Sequence, residues 1–268
     1  MSNVTVDPYT GLQMVELSHN WGHGSPSYPG QADIEMHRGV KHAQHGVLAW
    51  HIHTVMHTGT HMNAPIHMIQ RGADLAAIPL ERLFGNGCIL DVPKKSWQVI
   101  TAADLQAAKP GLKKGDIVVI DTGWHHKYSD ALEYYGEAPG LSKEAAQWLV
   151  SMNPKLVAID TPFIDHPLAT SMGPHRGGPQ MKRLAGDYTQ ATGLDPKKEH
   201  SEWNIAGRTL LGAGIPVIAQ VGGDVDQLKG KRATMAATPW KFEHGDACQV
   251  RMVAMFDAAG TCRIERGN

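Results

Sequence analysis

Three histidines stand within the eleven-residue segment His57-Thr58-Gly59-Thr60-His61-Met62-Asn63-Ala64-Pro65-Ile66-His67. No other stretch constrains the fold as tightly. Imidazole is a favoured ligand for zinc, manganese and iron, and it titrates near neutral pH. One short segment can therefore hold a hydrolytic metal and also supply its acid–base partner. The spacing of His57 and His61 would put both rings on one face of a helical turn. Gly59 lies between them, however, and Val55 and Met56 precede them, so the expected local structure is a strand running into a tight turn. Gly59 and Pro65 fold such a turn around a point. For any single ring, a solvated loop histidine is the alternative.

The rest of the chain alternates short strands, turns and a few helices. Strands are expected over Leu12–Leu17, Val47–Val55, Cys88–Val92, Ile117–Asp121, Leu156–Ile159, Pro216–Val221 and Gln249–Phe256. The runs at Ile117 and Leu156 are continuously apolar and end at Asp, as strands buried on both faces do. Helix start signals appear at Thr101-Ala102-Ala103-Asp104, stopped by Pro110-Gly111, and at Ser142, stopped by Asn153-Pro154. A third helix passes through Leu210 and Leu211 and ends at Gly212 or Gly214. The pattern reads as an α/β chain forming a single domain over residues 1–268. Its least regular part, about 171–202, is expected to be an insertion that shapes the pocket.

Composition excludes several function classes. The 25 basic and 26 acidic residues balance to a net charge of −1, so no global field draws the chain to nucleic acid or to an acidic membrane. Three cysteines, Cys88, Cys248 and Cys262, form no close pair and no thiolate metal pattern. No secretory signal is visible, and no apolar run approaches the ~20 residues that span a bilayer. A cytoplasmic protein acting on a small molecule is the expectation.

The histidine segment resembles the H-x-G-T-H-x-D-x-P-x-H signature of the cyclase-like metal-dependent hydrolases, a family that includes bacterial kynurenine formamidase and isatin hydrolase. Other segments agree in order: Val15-Glu16-Leu17-Ser18-His19, Ser25-Pro26-Ser27-Tyr28-Pro29-Gly30, Asp121-Thr122-Gly123-Trp124, Ala158-Ile159-Asp160-Thr161-Pro162 and Leu210-Leu211-Gly212-Ala213-Gly214. The resemblance runs from about Val15 to about Phe256. It implies the swivelling β/β/α fold, a barrel-like mixed β core with flanking helices, assembled as a homodimer or homotetramer. In that family the site lies near subunit contacts, so Trp21 or Tyr28 is expected to reach a neighbour's pocket.

The departures from the signature bear on the metal. Two-metal members carry Asp where this chain has Asn63, and a later His and Glu where it has Arg208 and Gln220. An amide oxygen is a weaker ligand than a carboxylate, and a guanidinium cannot bind a cation. The resemblance therefore implies one divalent ion per chain, manganese or zinc, held by His57 and His61 with Asn63 or Gln220 adding an oxygen. Losing the carboxylate lowers metal affinity and makes the activated water more acidic. Asp160, Asp165 and Glu202 are candidates to compensate.

The implied reaction is hydrolysis of a small cyclic amide, a lactone or an aryl formamide. His67 is expected as general base and then acid, His53 and Trp124 as pocket walls, and Arg176 or Arg208 as the partner of a substrate carboxylate. Two rival readings stay open. One is a lyase or isomerase using the same metal site, and the other is a metal-poor relative that binds a ligand without turning it over.

Overall fold

A computed structural model describes residues 4–172 and 179–260. Ten strands form one mixed sheet: β1 (Thr5–Val6), β2 (Gln13–Glu16), β3 (His61–Asn63), β4 (Phe84–Asp91), β5 (Ile117–Asp121), β6 (Leu156–Ile159), β7 (Val217–Ala219), β8 (Arg232–Ala237), β9 (Ala247–Gln249) and β10 (Met252–Phe256). Their order is β1-β2-β10-β8-β4-β5-β6-β7-β3-β9. Strands β4 to β7 are parallel neighbours, and the flanking pairs are antiparallel.

The apolar runs explain the parallel centre. Ile89, Val119, Leu156, Ala158 and Ile218 face one core. Their neighbours Leu90, Val118, Ile120, Val157 and Val217 face a second core, built with the helices. A strand buried on both sides needs no polar alternation, which is why these runs read as continuous. The chain after β2 returns to the end of β7 through a Ser18–Val221 bridge, with the Gly222 N–H donating to Leu17 O at 3.0 Å. The sheet thus curls back on itself, and the mixed α/β class with flanking helices stands as expected.

The helices begin where their caps are. α1 (Ala102–Ala107) starts at a capping box: the Thr101 N–H donates to Asp104 Oδ2 at 2.7 Å, and the Asp104 N–H donates to Thr101 Oγ1 at 3.2 Å. α2 (Lys143–Met152) starts at Ser142, whose hydroxyl accepts from the Ala145 N–H, and ends at Asn153 in the left-handed region with φ 46°. Among the described residues, no helix is long and apolar enough to cross a membrane.

Three expectations change. The stretch 171–202 is not simply irregular: it carries α3 (Pro179–Thr192) and a helical turn at Pro196–Glu199. Gly186, Thr189 and Thr192 weaken its helical signal, while Leu184 and Tyr188, one turn apart, dock on Trp124, Tyr134 and Tyr135. The strand expected at Val47–Val55 shortens to Ala49–His53 and pairs with Glu35–Val40 in a separate, exposed ribbon. The run at Gln249–Phe256 divides after Val250: its N–H still donates to Thr60 O at 3.1 Å, in line with the β9–β3 pairing, and from Met252 the chain pairs with β8 and β2 instead. The last helix, α4 (Ile205–Gly212), ends at Gly212 as expected.

Candidate active site

The histidine frame is held by its own turn chemistry. Gly59 adopts φ 62°, where a side chain would be strained, and its N–H donates to Pro26 O at 3.2 Å. The Thr60 hydroxyl donates to Gln220 O at 2.6 Å, tying the loop to the end of β7. β3 then pairs with β7 (His61 with Ala219) and with β9 (Asn63 with Ala247). Pro65 opens a turn of 3-10 helix over Pro65–His67 that delivers His67.

These elements frame a cavity of about 450 Å³. His57, His61, Asn63, His67, Arg208 and Gln220 all line it, with Tyr28, Phe163, Asp165 and Trp203. The His57 Nε2–H donates to Asp246 Oδ2 at 2.9 Å, and the His67 Nδ1–H donates to the same oxygen at 3.0 Å. The His61 Nδ1–H donates to Gly59 O at 2.7 Å. Carboxylate and carbonyl oxygens only accept, so each contact fixes where the ring carries its proton. His57 Nδ1, His61 Nε2 and His67 Nε2 are left as lone pairs. Burial, reinforced by the neighbouring His57, lowers His61 to about 3, which keeps its ring neutral. The hydrogen bonds from His57 and then His67 hold the Asp246 carboxyl far below the usual range, so it stays charged.

Two further oxygens complete the donor set. Asn63 Oδ1 and Gln220 Oε1 are buried with no hydrogen-bond partner, a state that costs about 1–3 kcal/mol per group. Gln220 also holds φ 60°, a backbone strain that collects at functional sites. Imidazole lone pairs and amide oxygens gathered in one cavity suit a divalent cation. His57, His67 and Asp246 also bring ligand atoms within 4.8 Å of one another, a cluster centred on Asp246 and beside this donor set rather than part of it.

Several expected residues lie elsewhere. Trp124 is no pocket wall: it is 2% exposed, its indole N–H donates to Tyr134 O at 2.9 Å, and it packs into the aromatic cluster. His53 sits on the exposed ribbon and lines a separate hollow with His19, Trp21 and Trp240. Arg176 lies outside the described residues. Asp160 is fully buried and accepts from Thr122 and His125, and Glu202 pairs with Lys143 at 2.9 Å. Asp165 does reach the cavity, but its oxygens accept from the Ala206 and Gly207 N–H groups of α4 at 2.7 and 2.9 Å. Burial pushes it up to about 6. Tyr28 lines the cavity of its own chain. Asp246 is the residue that sequence reasoning missed: it follows Glu243-His244-Gly245, which reads as an ordinary polar turn, and only the β9–β3 pairing brings it to the frame.

The family model described as "Putative cyclase" matches residues 15–166, a span that contains the whole histidine frame. Kynurenine formamidase from Erythrobacter litoralis (strain HTCC2594) is 25% identical over 162 residues, covering 60% of this chain and 71% of that protein. An isatin hydrolase bound to the product analogue thioisatinate superposes with a TM-score of 0.72 at 19% identity, covering 91% of this chain and 92% of that one. A potential metal-dependent hydrolase with cyclase activity superposes with a TM-score of 0.63 at 21% identity, covering 91% and 98%. The structural likenesses show a shared fold, and the family match spans more than half of the sequence. This chain belongs to the cyclase family.

Proposed function

We propose that this chain is a divalent-cation-dependent hydrolase that opens a small cyclic amide or lactone, or cleaves an aryl formamide. The reading is carried by one observation: three imidazole lone pairs and two unpartnered buried amide oxygens converge on one cavity. The activities named for kynurenine formamidase and isatin hydrolase support the same choice of bond. His57 and His61 would hold one manganese or zinc ion, with Asn63 and Gln220 adding oxygens. Such an ion supplies Lewis-acid polarisation of a carbonyl and acidifies water.

The chain's own residues do the rest. His67, its Nδ1–H anchored on Asp246, takes a proton from the attacking water at Nε2 and returns it to the leaving nitrogen or oxygen. The permanent charge of Asp246 stabilises the imidazolium formed between those steps. Tyr28 and Phe163, edge to face at 5.3 Å, offer an aromatic wall to a planar substrate. The Arg208 guanidinium, 5.2 Å from the Trp203 ring centroid, meets an anionic group on the substrate. The same reading places the enzyme in the cytoplasm as a homodimer or homotetramer, with no nucleic-acid or membrane partner.

The test is turnover of aryl formamides, lactones and cyclic amides in oxygen-18 water, with metal content per chain measured by mass spectrometry. Hydrolysis puts the label in a new carboxylate, and His61→Ala loses the metal. Turnover without label makes the chain a lyase or isomerase. Full activity in His67→Ala removes His67 from its role. No metal even after incubation with excess ion leaves the ligand-binding relative as the answer.

A further inference from the structure

The donors on the cavity wall are poor in negative charge. The imidazoles of His57 and His61 and the amides of Asn63 and Gln220 bring no anionic oxygen, and Asp165 spends its oxygens on the amides of α4. The negative charge that touches the histidines comes from behind them. Asp246 does not line the cavity, yet one of its oxygens accepts from His57 at 2.9 Å and from His67 at 3.0 Å.

Its backbone is pinned for this task. Ala247 stands opposite Asn63 in the β9–β3 register, and the Ala64 N–H donates to Asp246 O at 2.8 Å. The side chain therefore starts beside the histidine frame although 189 residues separate it from His57. A histidine that ligates a metal through one nitrogen is oriented by an acceptor at the other, and the loss of that acceptor weakens binding by about 10–100-fold. In this site a single oxygen serves two rings, which couples their orientations. His61 is oriented separately, by Gly59 O.

We propose that Asp246 is a positioning residue of this site, a carboxylate that sets the tautomers of His57 and His67 together and supplies the charge that Asn63 does not. The proposal rests on reading the cavity as a cation-dependent hydrolytic centre. It also accounts for a site with an amide at position 63: here an anion stands at the residue before β9, one step away from the ligands.

Long-range proton–nitrogen correlation spectra of the chelator-treated protein, paired with Zn²⁺ titration by calorimetry, test it. In Asp246→Ala the His57 ring should leave the Nε2–H form and the His67 ring the Nδ1–H form. His61 should keep its Nδ1–H signal, which serves as the internal check that the fold is intact. The Zn²⁺ dissociation constant should rise by about 10–100-fold. Asp246→Asn keeps an acceptor oxygen and loses the charge, so it should retain the tautomers while losing affinity. Adding Asn63→Asp to Asp246→Ala should return part of the affinity and leave the tautomers mixed. Unchanged tautomers in Asp246→Ala overturn the proposal, and if Zn²⁺ affinity falls without them, Asp246 is a direct ligand instead. A wild-type protein that binds no cation sinks the hydrolase reading, while the tautomer spectra still decide the role of Asp246.

Discussion

His166 and His125 are both buried imidazoles, and their surroundings drive them in opposite directions. The His166 Nε2–H donates to Trp97 O at 3.1 Å, and its Nδ1 accepts from the Leu168 N–H at 3.3 Å, so both nitrogens are satisfied only in the neutral ring. Burial, then the stacked His200 ring, lowers His166 to about 3. Burial also opposes the charge on His125, but its hydrogen bonds to Asp121 and Asp160 outweigh that and raise it to about 10. For His166 the unfolded chain binds more protons between about pH 3 and 6.5, so stability falls on acidification through that window, by about 1.4 kcal/mol per pH unit. For His125 the folded chain holds the proton, so its contribution is complete below pH 6.5 and is lost as pH rises toward 10. The melting temperature should therefore peak near pH 6.5 to 7. His166→Asn should make the acid arm shallower without removing it, because burial also lowers His61 to about 3 and His19 to about 4, and His125→Asn should flatten the alkaline arm. Melting curves from pH 4.5 to 9.5 check this, and slopes identical to wild type in both variants would refute it. Which residues share the cavity was legible at this scale where spacing carried it, as in the frame from His57 to His67, and at Gln220 where the family resemblance pointed to it. Asp246 was not, because it meets His67 across 179 residues of chain. Trp124 was misread because a tryptophan suits a pocket wall and a core equally, and only the Tyr134 carbonyl at its indole N–H decides between them.

Secondary-structure elements whose signals are local were readable, and those defined by their neighbours were not. Thr101 and Ser142 cap their helices through side chains three residues or fewer away, so the sequence already contains the interaction. α4 is different. Asn204 precedes it in the left-handed region with φ 49° and gives no side-chain cap. Asp165 does so from another part of the chain, accepting from two first-turn N–H groups. Asp165→Ala leaves both amides buried and unpaired and should cost about 1–3 kcal/mol for each. A urea midpoint equal to wild type would show that α4 does not depend on that cap. A second element-scale constraint is Gly87, where β4 passes β5. A Cβ there would lie 2.1 Å from Ile117 O, so Gly87→Ala must push the two central parallel strands apart. The cost should reach about 3 kcal/mol, the upper end for an overpacked core, and appear as a lowered urea midpoint. An alanine variant as stable as wild type would mean that the strands yield freely.

For the molecule as a whole, the fold class was legible because central strands and capped helices alternate along the chain. The order of the sheet was not: β3 lies between β7 and β9 through pairings that span most of the sequence, and nothing near His61 records them. The same distance hides the role of the ribbon formed by Glu35–Val40 and Ala49–His53, whose register pairs Met36 with Ile52 and Arg38 with Trp50. One ribbon face thus gathers Met36, Trp50 and Ile52 with Arg38, whose guanidinium lies 5.3 Å from the Trp50 ring centroid, and the other gathers Glu35, His37, His51 and His53. Trp50 is 42% and Ile52 49% exposed. A two-stranded ribbon is marginal by itself, and contiguous exposed apolar side chains mark contact surfaces. The proposed homodimer or homotetramer predicts that a second copy covers this face, since self-complementary contacts are the common route to assembly. Replacing Trp50 and Ile52 together by Lys should convert the assembly to single chains in light scattering coupled to size exclusion. The melting temperature of the main sheet should change little, because neither residue belongs to the described cores. A wild-type protein that is already monomeric at micromolar concentration would remove the assembly, and a double variant that keeps the wild-type mass would move the interface to another face.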